Sequence, residues 1–250
     1  MSRTQIILTR LALLLAALAA WEYLPRNNLI NPLLLPPLSD VLAMLGELLT
    51  RPQVHEAIWT TALEVLLAFI IAVPLGSAIG IVIAENDYLG EIFRPIIFYI
   101  FATPNSIFLP MFILVFGIGF QQKVAYAAFS ASFIVLMSAM AAVHSVRSDH
   151  ILVARSFGAS RMQILFRVYL PSMLPMLLET LRIAMIFTFT GVMIAEMYAS
   201  RTGIGHLIAN WGENFQMAQL LSGVIILATV AILFNETVRF VEVRCSRWRT

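Results

Sequence analysis

Lysine and cysteine are almost missing from this sequence: Lys123 and Cys245 are the single examples among 250 residues. A lone cysteine excludes any intrachain disulfide. Charge of either sign is also scarce. Asp, Glu, Lys and Arg together make 12% of the chain, about half of the roughly 25% usual for soluble domains. The net charge of +2 lacks the basic footprint that nucleic acid requires, so nucleic acid is not an expected partner. The sole lysine stands in Phe120-Gln121-Gln122-Lys123, and no G-x-x-x-x-G-K-[ST] phosphate cradle exists. H-E-x-x-H, clustered Cys/His ligands and a G-x-S-x-G elbow are missing as well. His55, His144, His150 and His206 are scattered. These absences predict no catalytic residue, no metal site and no cofactor in the chain itself, and no enzyme activity.

Apolar surface takes the place of all this. Hydrophobic residues make 60% of the chain, so its solvent must be largely lipid. Crossing about 30 Å of hydrocarbon takes roughly 20 helical residues. Runs of that kind occupy about 6–24, 57–84, 95–117, 124–144, 172–198 and 216–238. The predicted class is an all-α, multi-pass membrane protein with six spans in one membrane domain covering 1–250. Between the runs lie a proline-rich stretch (Pro25 to Pro37), an acidic turn (Glu85, Asp87, Glu91), a polar segment from His144 to Leu170 and a Gly- and Asn-containing linker from Arg201 to Glu213.

Cytoplasmic loops collect Lys and Arg. With the N-terminus inside, Arg3, Arg10, Arg94, Arg147, Arg155, Arg161, Arg167, Arg239, Arg244, Arg247 and Arg249 all fall on the cytoplasmic side. Arg26, Arg51, Lys123 and Arg201 fall outside, and Arg182 lies within a span. Both termini are therefore expected in the cytoplasm. The first run, with Arg3 and Arg10 ahead of Leu11 to Ala20, also has the look of a cleavable signal; it is expected to be retained as the first span.

Small residues at Gly76-x-x-x-Gly80 and Gly191-x-x-x-Ala195 let helices approach closely in lipid. They fit either packing within the chain or a seam between two copies. Intramembrane ionisable residues are few: Glu64, Arg182 and Glu196. Such groups face a partner or a cavity. Glu64 is expected either to pair with Arg182 or another basic group, or to line a pathway. A proton-coupled secondary transporter would carry more such groups and a twofold echo between its halves.

The segment between the fourth and fifth runs is the most informative. It runs from Asp149 through Arg161 and on to Leu170-Pro171. Ile151, Ala154 and Phe157, then Ile164, Leu165 and Val168, show helical spacing on either side of Gly158. Two short amphipathic helices joined by a glycine turn are predicted. Such an element is either a basic surface loop or a knob offered to a soluble partner's groove.

This segment resembles the E-A-A-x-x-x-G-x9-I-x-L-P signature of binding-protein-dependent ABC importer permeases. Ala154, Gly158, Leu170 and Pro171 match at the right spacing; Leu152, Val153 and Val168 replace the family's Glu, Ala and Ile. The phrase Ala154-Arg155-Ser156-Phe157-Gly158-Ala159-Ser160-Arg161 is similar to the sulfonate/nitrate/taurine branch. So are Leu35-Pro36-Pro37-Leu38-Ser39-Asp40-Val41-Leu42, Phe116-Gly117-Ile118-Gly119, Leu181-Arg182 and Ala195-Glu196-Met197.

The resemblance implies a type I ABC importer permease fold in a bacterial inner membrane, working as a homodimer. It implies cytoplasmic ATPase subunits, which hold the ATP and Mg, and a periplasmic substrate-binding protein. The helix before Gly158 would dock into the ATPase. Asp149, Leu152, Val153, Ala154, Arg155, Ser156, Phe157, Gly158, Ala159, Ser160, Arg161, Leu170 and Pro171 would form the coupling element, with Asp149 or Arg155 standing in for the family's Glu. Candidate pathway residues are Glu64, Thr103, Asn105, Ser106, Arg182, Thr188, Thr190 and Glu196. The implied cargo is a small organic solute, by default a sulfonate, nitrate or taurine-like anion; pyrimidine-type vitamin precursors and aromatic acids are the alternatives. Glu64 stands where this branch often has Arg, which loosens the expectation of an anion. The competing reading is a stand-alone secondary transporter or channel.

Overall fold

The computed structural model describes residues 3–146 and 148–246; Arg147, Arg247 and Arg249 of the orientation count lie outside them. Every regular element among the described residues is helical. The helices are α1 (Arg3–Arg26), α2 (Leu38–Leu48), α3 (Pro52–Glu85), α4 (Asp87–Ala102), α5 (Leu109–Phe116), α6 (Phe120–Ser145), α7 (Ser148–Ser156), α8 (Arg161–Ile164), α9 (Leu170–Ala199), α10 (Ile204–Glu213) and α11 (Met217–Ser246). Five stretches are long and apolar enough to cross a membrane: Thr4–Arg26, Pro52–Glu85, Phe120–Ser145, Met162–Ala199 and Met217–Arg244. A bent pair, Asp87–Ala102 with Asn105–Phe116, makes a sixth if it counts as one span.

That pair takes the place of the single span expected over 95–117, a run that carries the helix breakers Pro104 and Pro110. The two helices meet at 94°. Pro104 excludes the helical region for the residue before it, and Thr103 is accordingly extended, with φ −76° and ψ 134°. The pair also starts earlier than the apolar run, because Asn86 caps α4 by accepting from the Tyr88 and Leu89 N–H groups. Two helices went unforeseen, α2 directly after the proline-rich stretch and α10 in the Gly/Asn linker. Both are amphipathic and, at 11 and 10 residues, too short to cross a membrane.

The chain divides into two compact units, one of residues 1–60 and 202–229, the other of 61–201 and 230–250. In the first, the Ser222 hydroxyl donates to the Val41 carbonyl at 2.8 Å, joining α11 to α2. Gly223 lets α11 close on α10: a Cβ there would lie 2.7 Å from the Trp211 ring.

In the second unit α6 is the centre, packed along α9. Gly191 meets it so closely that a Cβ would sit 2.9 Å from the Ala127 Cα. Gly76 and Gly80 do the same from α3, where Cβ atoms would lie 2.6 Å and 2.5 Å from the Ser132 and Leu136 carbonyl oxygens. Both small-residue motifs are thus spent on contacts within the chain. Phe108, Phe112 and Tyr126 add edge-on ring packing around Phe129 and Phe112, and Ile83, Leu136, Met140 and Met173 form an apolar core at the other end of α6.

Candidate coupling segment and buried ionic cluster

Two short helices flank Gly158, and backbone chemistry holds them. Gly158 has φ +75°, the left-handed region that glycine enters without steric penalty. Its N–H donates to the Arg155 carbonyl at 2.9 Å, and the Ala159 N–H to the Ala154 carbonyl at 3.1 Å. This is the paired closure of a Schellman motif. Open space surrounds Gly158, so the demand for glycine comes from the backbone angle alone. Two residues on, Ser160 opens α8 with a reciprocal cap. Its N–H donates to Gln163 Oε1 at 2.8 Å, and the Gln163 N–H donates to Ser160 Oγ at 3.3 Å.

What the turn presents is apolar. Leu152 and Val153 are exposed, and Phe157 is 87% exposed. Ile151 and Ala154, which share the helical spacing with Phe157, are half-buried, whereas Phe157 stands out where the chain leaves the helix. Asp149, Arg155 and Ser156 are exposed too, and the Ser156 hydroxyl donates to the Leu152 carbonyl. The side chain of Arg161 lies outside the described set. Arg155 and Tyr169 face Glu85, Asp87 and Tyr88 across a cleft of about 390 Å³, which brings the acidic turn beside the segment. Beyond α8 the chain widens into a π turn, Leu165–Tyr169, before Leu170-Pro171 open α9. Proline has no N–H to give and crowds the carbonyl four residues back, and the wider turn sits where that crowding falls.

The proposed pathway residues do not all come together. Glu64 and Glu196 do, around a residue counted in advance as an outer-loop cation. Lys123 lies in the first turn of α6, and its side chain is fully buried. Its Nζ is 2.5 Å from Glu64 Oε1 and 4.0 Å from Glu196 Oε1. The Thr61 hydroxyl donates to Glu196 Oε1 at 2.7 Å. All four side chains are shut away from solvent, so the cluster ties α3, α6 and α9. The neighbouring Gln122 amide and Tyr126 hydroxyl are buried and make no hydrogen bond among the described residues.

Arg182 is elsewhere. It pairs with Glu242 of α11 at 2.9 Å, so of the two partners expected for Glu64, Arg182 or another basic group, it is the second, Lys123, that the structure supplies. Asn105 donates to Ser130 Oγ at 2.8 Å, holding the turn after Pro104 against α6. Thr103, Thr188 and Thr190 donate to carbonyls four residues back in their own helices, and Ser106 and Thr190 are exposed. Thr61 and Lys123 escaped the sequence reading. The signal for Lys123 was available: a single lysine abutting a long apolar run is an intramembrane charge before it is a loop residue.

An all-helical bundle of long apolar helices, with the glycine-closed segment between two of them, defines a multi-pass membrane permease. Residues 55–246 match the family described as binding-protein-dependent transport system inner membrane component, and the chain belongs to that family of ABC importer permeases. It is 32% identical over 237 residues to the taurine transport system permease protein of Escherichia coli (strain K12), covering 92% of this chain and 86% of the relative. It is 26% identical over 232 residues, 93% of this chain and 84% of the other, to a Bacillus subtilis (strain 168) permease provisionally assigned to aliphatic sulfonates. In fold it is similar to a chain of a bacterial ABC transporter involved in import of the acidic polysaccharide alginate. That likeness has a TM-score of 0.67 at 15% identity and covers 98% of this chain and all of the other.

Proposed function

We propose that this permease carries a small organosulfonate of the taurine kind across a bacterial inner membrane, as a homodimer driven by separate ATPase subunits and supplied by a periplasmic binding protein. The observation that carries the coupling role is the α7–Gly158 knob. The nine-residue α7 and the turn that follows it leave Leu152, Val153 and Phe157 exposed, and apolar side chains on such a short element suit a protein groove. The ATP and Mg belong to the partner. Leu152 replaces the family's Glu, so docking rests on shape, with Arg155 supplying the polar contact near the acidic turn.

Organosulfonate is favoured by the 32% identity to the taurine permease. Glu64 does not oppose an anion, since Lys123 neutralises it inside the bundle. Both termini are placed in the cytoplasm, and taking Lys123 off the outer side leaves Arg26, Arg51 and Arg201 there against eleven arginines inside. Coexpression with the cognate ATPase tests the assembly. Copurification with two permease copies per complex, and ATPase activity stimulated by binding protein loaded with taurine, are the expected results. A permease that transports without any ATPase would overturn it.

A further inference from the structure

The connection between α1 and α2, residues 27–37, presents leucines outward: Leu29, Leu33 and Leu34 are exposed, Leu33 to 75%. Single exposed leucines are ordinary; several within one short loop form a patch that needs a cover. The backbone of the same loop says which cover. The N–H groups of Asn27, Asn28, Leu29 and Ile30 donate to carbonyls of Tyr23, Pro25 and Leu24, those of Leu34 and Leu35 to the Asn31 carbonyl, and that of Leu33 to the Asn31 side chain. Pro32, Pro36 and Pro37 have no N–H to satisfy. Seven of the eight donors between 27 and 37 are therefore spent inside the chain.

The polar side chains at the loop's base are spent too. The Trp21 indole donates to the Pro36 carbonyl at 3.1 Å. Glu22 accepts from the Ser39 N–H at 2.9 Å and its hydroxyl at 3.0 Å, and it pairs with Arg26, which itself donates to Ser39 Oγ. Turn bonds of this kind form in water too, but a loop facing water has no reason to gather three leucines on its outer side. At the edge of the hydrocarbon each unpaired donor costs free energy, so donors already spent inside the chain suit a loop lying against the lipid surface.

We propose that residues 29–35 are an interfacial loop lying on the bilayer surface, its leucines reaching the acyl chains beside the end of α1. Continuity favours lipid over a protein partner, because α1 is itself a candidate span with no buried residue in its most apolar stretch. Trp21 and Tyr23 stand where interfacial aromatics concentrate. The loop thus anchors the elbow between α1 and α2 in the bilayer surface.

The test uses the assembled transporter in nanodiscs. In a Cys245→Ser background, Leu33→Cys and, in parallel, Leu29→Cys carry a bimane dye, and Glu213→Cys serves as the exposed polar control. Phosphatidylcholine with an acyl-chain nitroxide is expected to quench the two loop positions several-fold more than the control, with iodide quenching in the reverse order. Iodide quenching of both loop positions at the control's level would overturn the proposal. Protection from both quenchers would overturn it equally, because it would mean a protein covers the leucines.

Discussion

The coupling segment and the Lys123 cluster lie in the same unit and are built in opposite ways. Around Gly158 the shape is held by main-chain hydrogen bonds and a reciprocal cap, which leaves the side chains of Leu152, Val153 and Phe157 free to meet another protein. Around Lys123 side chains do the holding, and all of them are shut away from solvent. A docking surface must keep its form before the partner arrives. A charge in an apolar bundle must be compensated before the bundle can form. The position of each polar group follows from which of these constraints it serves.

Substitutions sharpen the contrast. Lys123→Ala leaves Glu64 buried without its cation and is expected to cost about 3–5 kcal/mol, the usual cost of breaking a buried pair from one side. Thermal unfolding of the purified complex would show it, and Lys123→Met with Glu64→Leu should recover most of the loss. An unchanged melting temperature for Lys123→Ala would break the comparison. Gly191→Leu, forced against the Ala127 backbone, is expected to destabilise by about 1–3 kcal/mol through overpacking, measured the same way.

On the exposed side the effects move from stability to partnership. Gly158→Val demands a left-handed angle of a β-branched residue, at a local cost of about 1–2 kcal/mol. Membrane insertion and melting should stay near the parent's, while binding-protein-stimulated ATPase activity is lost; normal stimulation would refute docking through this turn. Phe157→Ser should change stability least, within about 0.5 kcal/mol as for other surface positions, yet weaken association with the ATPase in a titration.

The geometry of the candidate coupling segment was legible because its information is local. Gly158, the Ser160–Gln163 cap and the apolar residues are set within a few positions of one another, and composition alone required a membrane solvent. How far Phe157 stands out was not legible, because helical periodicity assumes the helix continues, whereas the chain leaves it there. The bent pair was half visible, since Pro104 announces a break but not its angle. Glu64, Lys123 and Glu196 are 59 and 73 positions apart in succession, and no local pattern joins them.

By itself, then, the sequence determined the solvent of this protein, most of its spans and the glycine turn, all of which follow from hydrophobic run length and allowed backbone angles. Only the tertiary structure decided that the small-residue faces are used within the chain, that Lys123 is the cation at the centre of α3, α6 and α9, and that Arg182 answers Glu242 instead. Charge pairing in a bundle depends on which helix faces come together in space. That is settled by packing between helices, at Gly76, Gly80 and Gly191, and not by spacing along any one of them.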